Sequence, residues 1–266
     1  MIEALGYEFI QNAIIAGVIV SFISGIIGSL IVVNRMVFLA GGIAHAAYGG
    51  VGLAIYSGLS IFLSTSIFAI IAALFMAFVT IKQREKIDIF IGLIWAAGMA
   101  IGIVFIDLTP GYNVDLMSYL FGSILAVESN DIYFMSILFI VVIFTITFWY
   151  RDILAVSYDS EYAQLRGISV KFFYTLILVL SALTVVIAIK IVGLILVIAL
   201  LTIPIYIAQT LTSSLSSMMI SSGFIATAFT LVGLWISYTY NLTSGACIIL
   251  VASVSLIIFI IGLKLK

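Results

Sequence analysis

Apolar residues fill most of the chain, and short polar or glycine-rich breaks interrupt them. Nine apolar runs follow one another, each close to the roughly 20 residues that an α-helix needs to cross a bilayer. They are 13–33, 36–56, 61–81, 89–106, 132–150, 172–189, 191–208, 218–238 and 245–263. The pattern predicts an all-α polytopic membrane protein with about nine transmembrane helices. Because the break at 189–191 is short for a loop, eight helices with one longer or bent remain the alternative.

Composition supports this class. The chain is 65% hydrophobic and 8% charged, which excludes an ordinary soluble domain. The breaks leave no room for a folded soluble part, so we expect one transmembrane domain over residues 1–266. The single cysteine, Cys247, excludes an intrachain disulfide. The first residues lack a basic region typical of signal peptides, so we expect the first run to remain as a span.

Basic residues indicate the orientation. If every run crosses, nine of the ten basic residues fall on one face, and only Lys190 falls on the other. Cytoplasmic loops carry such an excess of Lys and Arg. The pattern predicts an outer N-terminus and a cytoplasmic C-terminus. Between the fourth and fifth runs, residues 109–112 read as an outer turn, and residues 116–127 as a helix at the outer interface or re-entering the membrane.

The only histidine lies in the second run. His45 follows a glycine pair, Gly41 and Gly42, and precedes a second pair, Gly49 and Gly50. An ionisable ring inside a span is expensive unless it is used or satisfied, and glycines let another backbone or a ligand come close. Two interpretations stay open from the residues alone: a histidine hydrogen-bonded to a neighbouring helix, and a residue of a transport path.

Small residues in the first run are spaced for close helix packing. They are Ser21, Ser24, Gly25, Gly28 and Ser29. Close packing is the ordinary role of such a pattern in membrane bundles.

Residues 151–171 form the longest predicted cytoplasmic loop, and its middle has the signals of a short helix. These are an N-cap at Asp159 or Ser160, an acidic first-turn residue at Glu161, a basic last-turn residue at Arg166, and Gly167 for a left-handed C′ position. A helix this short needs a partner to be stable. The loop is therefore either a solvated surface or a docking helix for a cytosolic protein.

Pro204 interrupts the seventh run. Proline removes one backbone hydrogen bond, so we expect a bent span, with Thr202 or a neighbouring helix satisfying the freed carbonyl. A bent helix is a candidate moving part.

Several enzyme motifs are absent from the sequence. It contains no P-loop, no Gly-x-Ser-x-Gly elbow, and no second histidine or cysteine. We therefore expect no catalytic residues, no bound cofactor and no ATP site in this chain.

Four segments together resemble the permease subunits of bacterial zinc, manganese and iron ABC importers. They are RMVFLAGGIAH at 35–45 with the glycines that follow, YLFGSIL at 119–125, YDSEYAQLRGI at 158–168, and VGLILVIALLTIP at 192–204. They occur in the order found in that family, and the similarity covers nearly the whole chain.

The resemblance implies a type II ABC importer-like bundle in the bacterial plasma membrane. It implies a homodimer of permeases around a central path, two cytosolic ATPase subunits that bind ATP, and an extracytoplasmic metal-binding protein, with membrane lipid around the bundle and no nucleic-acid partner. The ATPases would dock on the loop at 151–171. The coupling residues carried over are Asp159, Glu161, Ala163, Arg166 and Gly167.

The resemblance also implies roles for the histidine run. His45 would contact Zn²⁺, Mn²⁺ or Fe²⁺ weakly in transit, while Gly41, Gly42, Gly49, Gly50 and Pro204 would give flexibility or gating. In the family an Asp usually stands four residues before the histidine, and here that position is Gly41. His45 from each of two subunits, or freed backbone carbonyls, would then have to serve.

We therefore expect an ATP-driven divalent metal importer permease that works by alternating access. A permease for a metal chelate such as haem or a siderophore is one alternative, and an ATP-independent scaffold or intramembrane enzyme is another. Four outer carboxylates are candidates for attracting cations or binding the delivery protein, although simple solvation of an outer loop is the better explanation for any one of them. They are Asp107, Asp115, Glu128 and Asp131.

Overall fold

The computed structural model describes residues 6–82, 87–110, 122, 124–194 and 197–264. These residues form α-helices joined by short connections, with one 3₁₀ turn at Ile124–Ala126. The helices are α1 (Glu8–Val33), α2 (Val37–Ala46), α3 (Tyr48–Ser57), α4 (Ile61–Lys82), α5 (Ile87–Asp107), α6 (Ser129–Phe148), α7 (Tyr150–Tyr158), α8 (Ser160–Leu165), α9 (Val170–Val192), α10 (Val197–Leu200), α11 (Ile203–Leu211), α12 (Leu215–Tyr240) and α13 (Ser244–Lys264).

Eight helical segments in this part of the chain are long and apolar enough to cross a membrane. One of them joins α2 and α3 over Val37–Ser57, with a local break at Ala47. The seventh predicted run, 191–208, corresponds to the shorter apolar stretch Val197–Leu211, which is divided into α10 and α11. The all-α membrane class predicted from the apolar pattern is confirmed.

The boundary between the sixth and seventh runs was predicted wrongly. Helix α9 continues through Lys190 to Val192 and ends at Gly193, whose φ of +82° is left-handed. A lysine at the last turn of a helix is compatible with the helix and is favoured by its dipole. Lys190 therefore marks the end of a span and does not interrupt one.

The described residues divide into two compact units, which we treat separately. The first unit comprises Met1–Val32, Met117–Thr147 and Ile187–Lys266, and the second comprises Val33–Leu116 and Phe148–Val186. That residues 1–266 act as one permease domain stays a prediction.

One end of the first unit gathers the starts of three helices and the end of a fourth. Ser129 at the start of α6 donates to Glu8 at the start of α1, with an Oγ to Oε1 distance of 3.3 Å. Asp131 pairs with Lys190 at the end of α9. The Ile124 N–H donates to Ser244 at the start of α13 (3.3 Å).

This arrangement shows how the chain runs through the pair α10–α11, the broken stretch Val197–Leu211. Helix α12 ends at Tyr240, beside the start of α13, so its first residue lies at the opposite end of the unit. The chain between Lys190 and Leu215 must therefore run from one end of the unit to the other. Among the described residues, eight helical segments are thus long enough to cross a membrane, and the pair α10–α11 also runs from one end of the first unit to the other.

Small residues hold α1 against α12 in the first unit, as their spacing predicted. A Cβ added to Gly25 would lie 2.5 Å from the Gly223 nitrogen, so the two backbones touch there. Ser222 Oγ donates to the Gly25 carbonyl (3.1 Å), and the Ser21 and Thr230 hydroxyls are hydrogen-bonded (3.0 Å). Such contacts replace the hydrophobic driving force that helices lack in lipid.

Glycines also hold α2 and α3 against α5 in the second unit. Gly98 lies against Ala46, and a Cβ on Gly52 would meet the Gly102 backbone, with its Cα at 2.6 Å. The paired positions advance together along both helices, so the helices run side by side in the same direction. The Gly98-x-x-x-Gly102 spacing, typical of close helix pairs, was not used in the sequence prediction.

Some predicted features fall on residues outside the described ranges. These are the second half of the turn at 109–112 and most of the segment 116–127. The charged segment between the third and fourth runs, residues 82–86, also lies outside, apart from the backbone of Lys82.

A Gly52→Ala substitution tests the backbone contact. The added methyl group meets the Gly102 backbone, which cannot rotate away, so we expect the free energy of unfolding to fall by about 1–3 kcal/mol, as overpacking does. Thermal unfolding of the detergent-purified protein measures it. The control is Gly92→Ala, because nothing lies within 4 Å of a Cβ there. Equal melting temperatures for the two variants would contradict the assignment of this contact.

Candidate functional site

His45 lies in the last turn of α2 and is partly buried. Its span, Val37–Ser57, has the lowest mean hydropathy of the eight long segments and yet the largest buried share. A span that faced lipid would show the opposite relation. The neighbouring helices therefore enclose the one histidine in the most protected segment.

The imidazole of His45 stacks on the indole of Trp95 in α5. The ring centroids are 3.8 Å apart and the planes are inclined by only 12°. The stack lies between two close helix contacts, Gly42 against Ile91 on one side and Ala46 against Gly98 on the other. Because these contacts fix the helix register, they also fix the position of the imidazole.

The Nδ1 atom of His45 is buried and has no hydrogen-bond partner among the described residues. A buried polar atom without a partner is costly and asks for an explanation. The interpretation of His45 as hydrogen-bonded to a neighbouring helix finds no support at this atom. The ring remains partly exposed and is a ligand that an ion or water can use.

The four glycines flanking His45 are all buried, and three have defined close neighbours. A Cβ on Gly42 would lie 3.1 Å from Ile91, and one on Gly49 would lie 2.6 Å from the Phe68 ring. A Cβ on Gly50 would lie 2.6 Å from the Thr65 Cα, and Ser64 Oγ donates to the Gly50 carbonyl (2.8 Å). These glycines permit close packing; their gating role stays a prediction.

Within the described ranges, no group of three or more His, Cys, Asp or Glu side chains is placed to hold a metal ion. Gly41, buried one turn before His45, supplies no side-chain ligand. His45 therefore has no carboxylate beside it from the position four residues earlier.

The carboxylates predicted to lie on the outer side have different surroundings. Asp131 has a structural role, because it pairs with Lys190 and accepts a hydrogen bond from the Glu128 N–H (3.0 Å). Asp107 is the last residue of α5, whereas Asp115 lies outside the described residues. A role for any of them in attracting cations stays a prediction.

The short helix predicted in the loop at 151–171 is confirmed as α8. Asp159 is its N-cap, and its Oδ1 accepts from the Tyr162 N–H (2.9 Å). Gly167 has φ +78°, and its N–H donates to Gln164 while the Ile168 N–H donates to Ala163, both at 3.0 Å. This pair of bonds is the Schellman motif.

The remaining predicted residues occupy distinct faces of α8. Ala163 is fully buried and anchors the helix, while Glu161 lies in the first turn. Arg166 Nη1 donates to the Tyr162 hydroxyl (3.1 Å), and Leu165 is 87% exposed.

The predicted bend of a continuous helix at Pro204 is not present. Pro204 lies instead at the start of a new helix. It is the second residue of α11, where its missing N–H has no intrahelical partner to lose. Thr202 Oγ1 donates to the Ile198 carbonyl (2.7 Å) and not to the Leu200 carbonyl, four residues before Pro204, so the predicted compensation by this hydroxyl is not what the structure has. Two separate helices can change their relative angle more easily than one bent helix can.

Sequence reasoning missed two features of this site. The Gly98-x-x-x-Gly102 pair was visible as a spacing, whereas the partnership of Trp95 with His45 depends on helix register, which no local pattern specifies.

Comparison with known proteins places this geometry in a family context. An uncharacterised membrane protein of Synechocystis is 46% identical over 258 residues, 97% of this chain and 92% of that protein. The manganese transport system membrane protein MntC of Listeria monocytogenes is 37% identical over 93% of this chain and 88% of its own length. A solved structure, PsaBC from Streptococcus pneumoniae in complex with Fab, superposes with a TM-score of 0.88 at 30% identity, covering 97% of this chain and 93% of that one.

The family assignment rests on nearly the whole chain. The model of the ABC 3 transport family matches residues 6–263. The chain therefore belongs to the ABC 3 transport family.

Proposed function

We propose that this chain is the membrane permease subunit of an ATP-driven importer of a divalent transition-metal ion, Zn²⁺, Mn²⁺ or Fe²⁺. The observation that carries the proposal is His45, the only histidine, held in the most buried span with an unpartnered Nδ1. Imidazole binds all three ions. Family membership and the manganese transport name of the Listeria relative make Mn²⁺ the first ion to test.

The ligand chemistry suits passage better than storage. Tight sites for these ions use three or four protein ligands, and one imidazole from each of two subunits supplies two. A transport path requires binding weak enough for the ion to leave. Selection of the ion then belongs to an extracytoplasmic metal-binding protein that delivers it.

The proposed function also implies the partners of this chain. Two copies of the chain form the path, and each docks one cytosolic ATPase subunit through the helix pair α7–α8. The chain is not itself the ATPase, and ATP binding and hydrolysis take place on the partner. Leu165 and Arg166 at the exposed end of α8 are the proposed contact, with Ala163 as the buried anchor.

We propose that the C-terminus and α7–α8 lie in the cytoplasm of a bacterium and the N-terminus outside. The distribution of Lys and Arg supports this orientation in the plasma membrane. The contacts at the outer end of the first unit, including the pair Lys190–Asp131, agree with Lys190 as the single outer basic residue.

The alternatives have less support. A chelate such as haem needs a wide path, whereas the Gly52–Gly102 contact brings the backbones of α3 and α5 together. A scaffold or intramembrane enzyme has no feature in its favour among the described side chains near His45.

Gentle purification through a tag after Lys266 tests the assembly. We expect a P-loop ATPase to co-purify at close to one copy per permease, with the tag accessible in inside-out vesicles and protected in intact cells. Quantitative mass spectrometry measures the ratio. Recovery of a clean homo-oligomer without ATPase, under conditions that keep a control transporter whole, would refute the importer assignment.

His45→Gln tests the metal path. Loss of the imidazole should raise the Mn²⁺ concentration for half-maximal uptake by roughly tenfold or more, as loss of metal-site groups does. Uptake into proteoliposomes containing the whole importer measures it. Thr65→Val, which removes a buried hydroxyl from the same unit, is the control and should transport normally. Equal uptake curves for His45→Gln and the unaltered protein would exclude His45 from the path.

Gly167→Ala tests the docking helix. A Cβ at φ +78° costs about 1 kcal/mol and should distort the end of α8, so uptake and ATPase association should fall while membrane insertion persists. Arg166→Glu should act in the same direction through charge reversal.

Gly58→Ala is the matched control for Gly167→Ala. Gly58 also has a left-handed φ, +70°, and a Cβ there also meets nothing within 4 Å, but it ends α3. An equal loss of uptake in both glycine variants would assign the effect to backbone strain and would remove the argument for docking at α8.

A further inference from the structure

The helix pair α7–α8 is tied directly to the turn that precedes the histidine helix. Asn34 Nδ2 donates to Ser157 Oγ at 2.9 Å, in a partly buried position. Asn34 follows the last residue of α1, and Ser157 is the last residue but one of α7. Both belong to the second unit. The bond therefore joins two elements that are far apart in sequence and lie at the same end of this unit.

The turn on the Asn34 side is held in a restrictive conformation. Arg35 has φ +57°, a left-handed value that costs a residue with a Cβ on the order of 1 kcal/mol. Met36 is almost fully buried, and its carbonyl accepts from the Ala40 N–H (3.0 Å). Because the conformation is strained and anchored, a displacement of Asn34 is passed to α2 and is not absorbed by the turn.

Ser157, at the other end of the bond, is closely tied to α8. Ile153 and Val156 are buried and anchor α7. The Asp159 N–H donates to the Ala155 carbonyl (2.9 Å), and the Asp159 carboxylate caps α8. Only Asp159 separates the two helices, so α8 cannot shift far without moving Ser157.

Open space lies beside the bond. A cavity of about 620 Å³ is lined by residues of both elements, including Asn34, Arg35, Phe38, Ser157 and Ser160. Asn34 and Ser157 both border this space, so the α1–α2 turn and the end of α7 are not in contact along their whole length. Where packing is incomplete, a polar contact such as the Asn34–Ser157 bond contributes more to how the two elements move together.

We propose that Asn34 is a positioning residue that transmits movement of α7–α8 to α2 and so to His45. The proposal rests on the proposed function and adds to it the route from the docking helix to the metal ligand. Movement of α8 when the ATPases close pulls Ser157, Ser157 holds Asn34, and α2 shifts along α5. Loss of the bond uncouples ATP hydrolysis from transport without preventing either docking or metal binding.

The test uses the complete importer in proteoliposomes, with Mn²⁺ as the probe ion, and measures uptake and ATP hydrolysis on the same sample. For Asn34→Ala and Ser157→Ala we expect ATP hydrolysis to stay within about twofold, while Mn²⁺ transported per ATP falls about fivefold or more, the lower range of measured couplings between sites. The double variant should be no worse than either single variant. The exchanged pair, Asn34→Ser with Ser157→Asn, should recover much of the loss.

The chain offers a matched control in its other unit. Asn12 Nδ2 donates to Ser129 Oγ at 3.3 Å, so Asn12→Ala removes the same kind of bond in the unit that does not contain α7–α8, and Ser129→Ala removes it together with the bond from Ser129 to Glu8. These variants should keep the normal ratio of Mn²⁺ to ATP. If they lose it to the same extent, the effect is a general weakening of the bundle and the proposal is overturned.

The outcomes separate the two proposals. Normal coupling in the unaltered importer and in both Asn34→Ala and Ser157→Ala overturns the link and leaves the proposed function intact. Absence of Mn²⁺, Zn²⁺ and Fe²⁺ uptake by the unaltered complex overturns the proposed function and the link with it. If Asn34→Ala does not yield a monodisperse protein, Ser157→Ala, which removes only one hydroxyl, decides the question.

Discussion

Backbone contact at glycine is the constraint on which the histidine segment depends. A span with the lowest mean hydropathy among the long segments gains least from facing lipid, so it must be covered by other helices. Van der Waals contact is the main attraction available between helices in a bilayer, and it needs close approach. Gly52 and Gly102 supply that approach, and Gly98 supplies it beside Ala46. The same contacts set the register that stacks His45 on Trp95.

The division into two units changes where mechanical coupling is to be sought. The sequence indicated the span containing Pro204 as a candidate moving part. Helices α7 and α8 instead share a compact unit with α2–α5, whereas Pro204 belongs to the other unit. A force applied at α8 therefore has a route to His45 through contacts inside one unit. The broken stretch α10–α11 keeps the features of a movable element.

Features governed by local rules were predictable from the sequence. Capping by Asp159 and the left-handed Gly167 follow from side-chain and backbone preferences within a few residues, and both are present. The apolar runs followed from bilayer thickness in the same way. The end of α9 was mispredicted because a single lysine was taken as a break, although its pairing with Asp131 stabilises it at the helix end. Trp95 was missed because the contact of two helices depends on register over many residues.

The ligand set and the packing around His45 lead to one conclusion about how such a site works. With glycine at position 41, the imidazole of His45 is the side chain in this span that we propose as the metal ligand, and Trp95 covers one face of that ring. Under the proposed function, the imidazole gains or loses access to the ion when α2 moves along α5, because that movement changes the overlap of His45 with Trp95. A weak ligand whose exposure depends on a helix shift is well suited to a path that must bind and release one ion in each cycle.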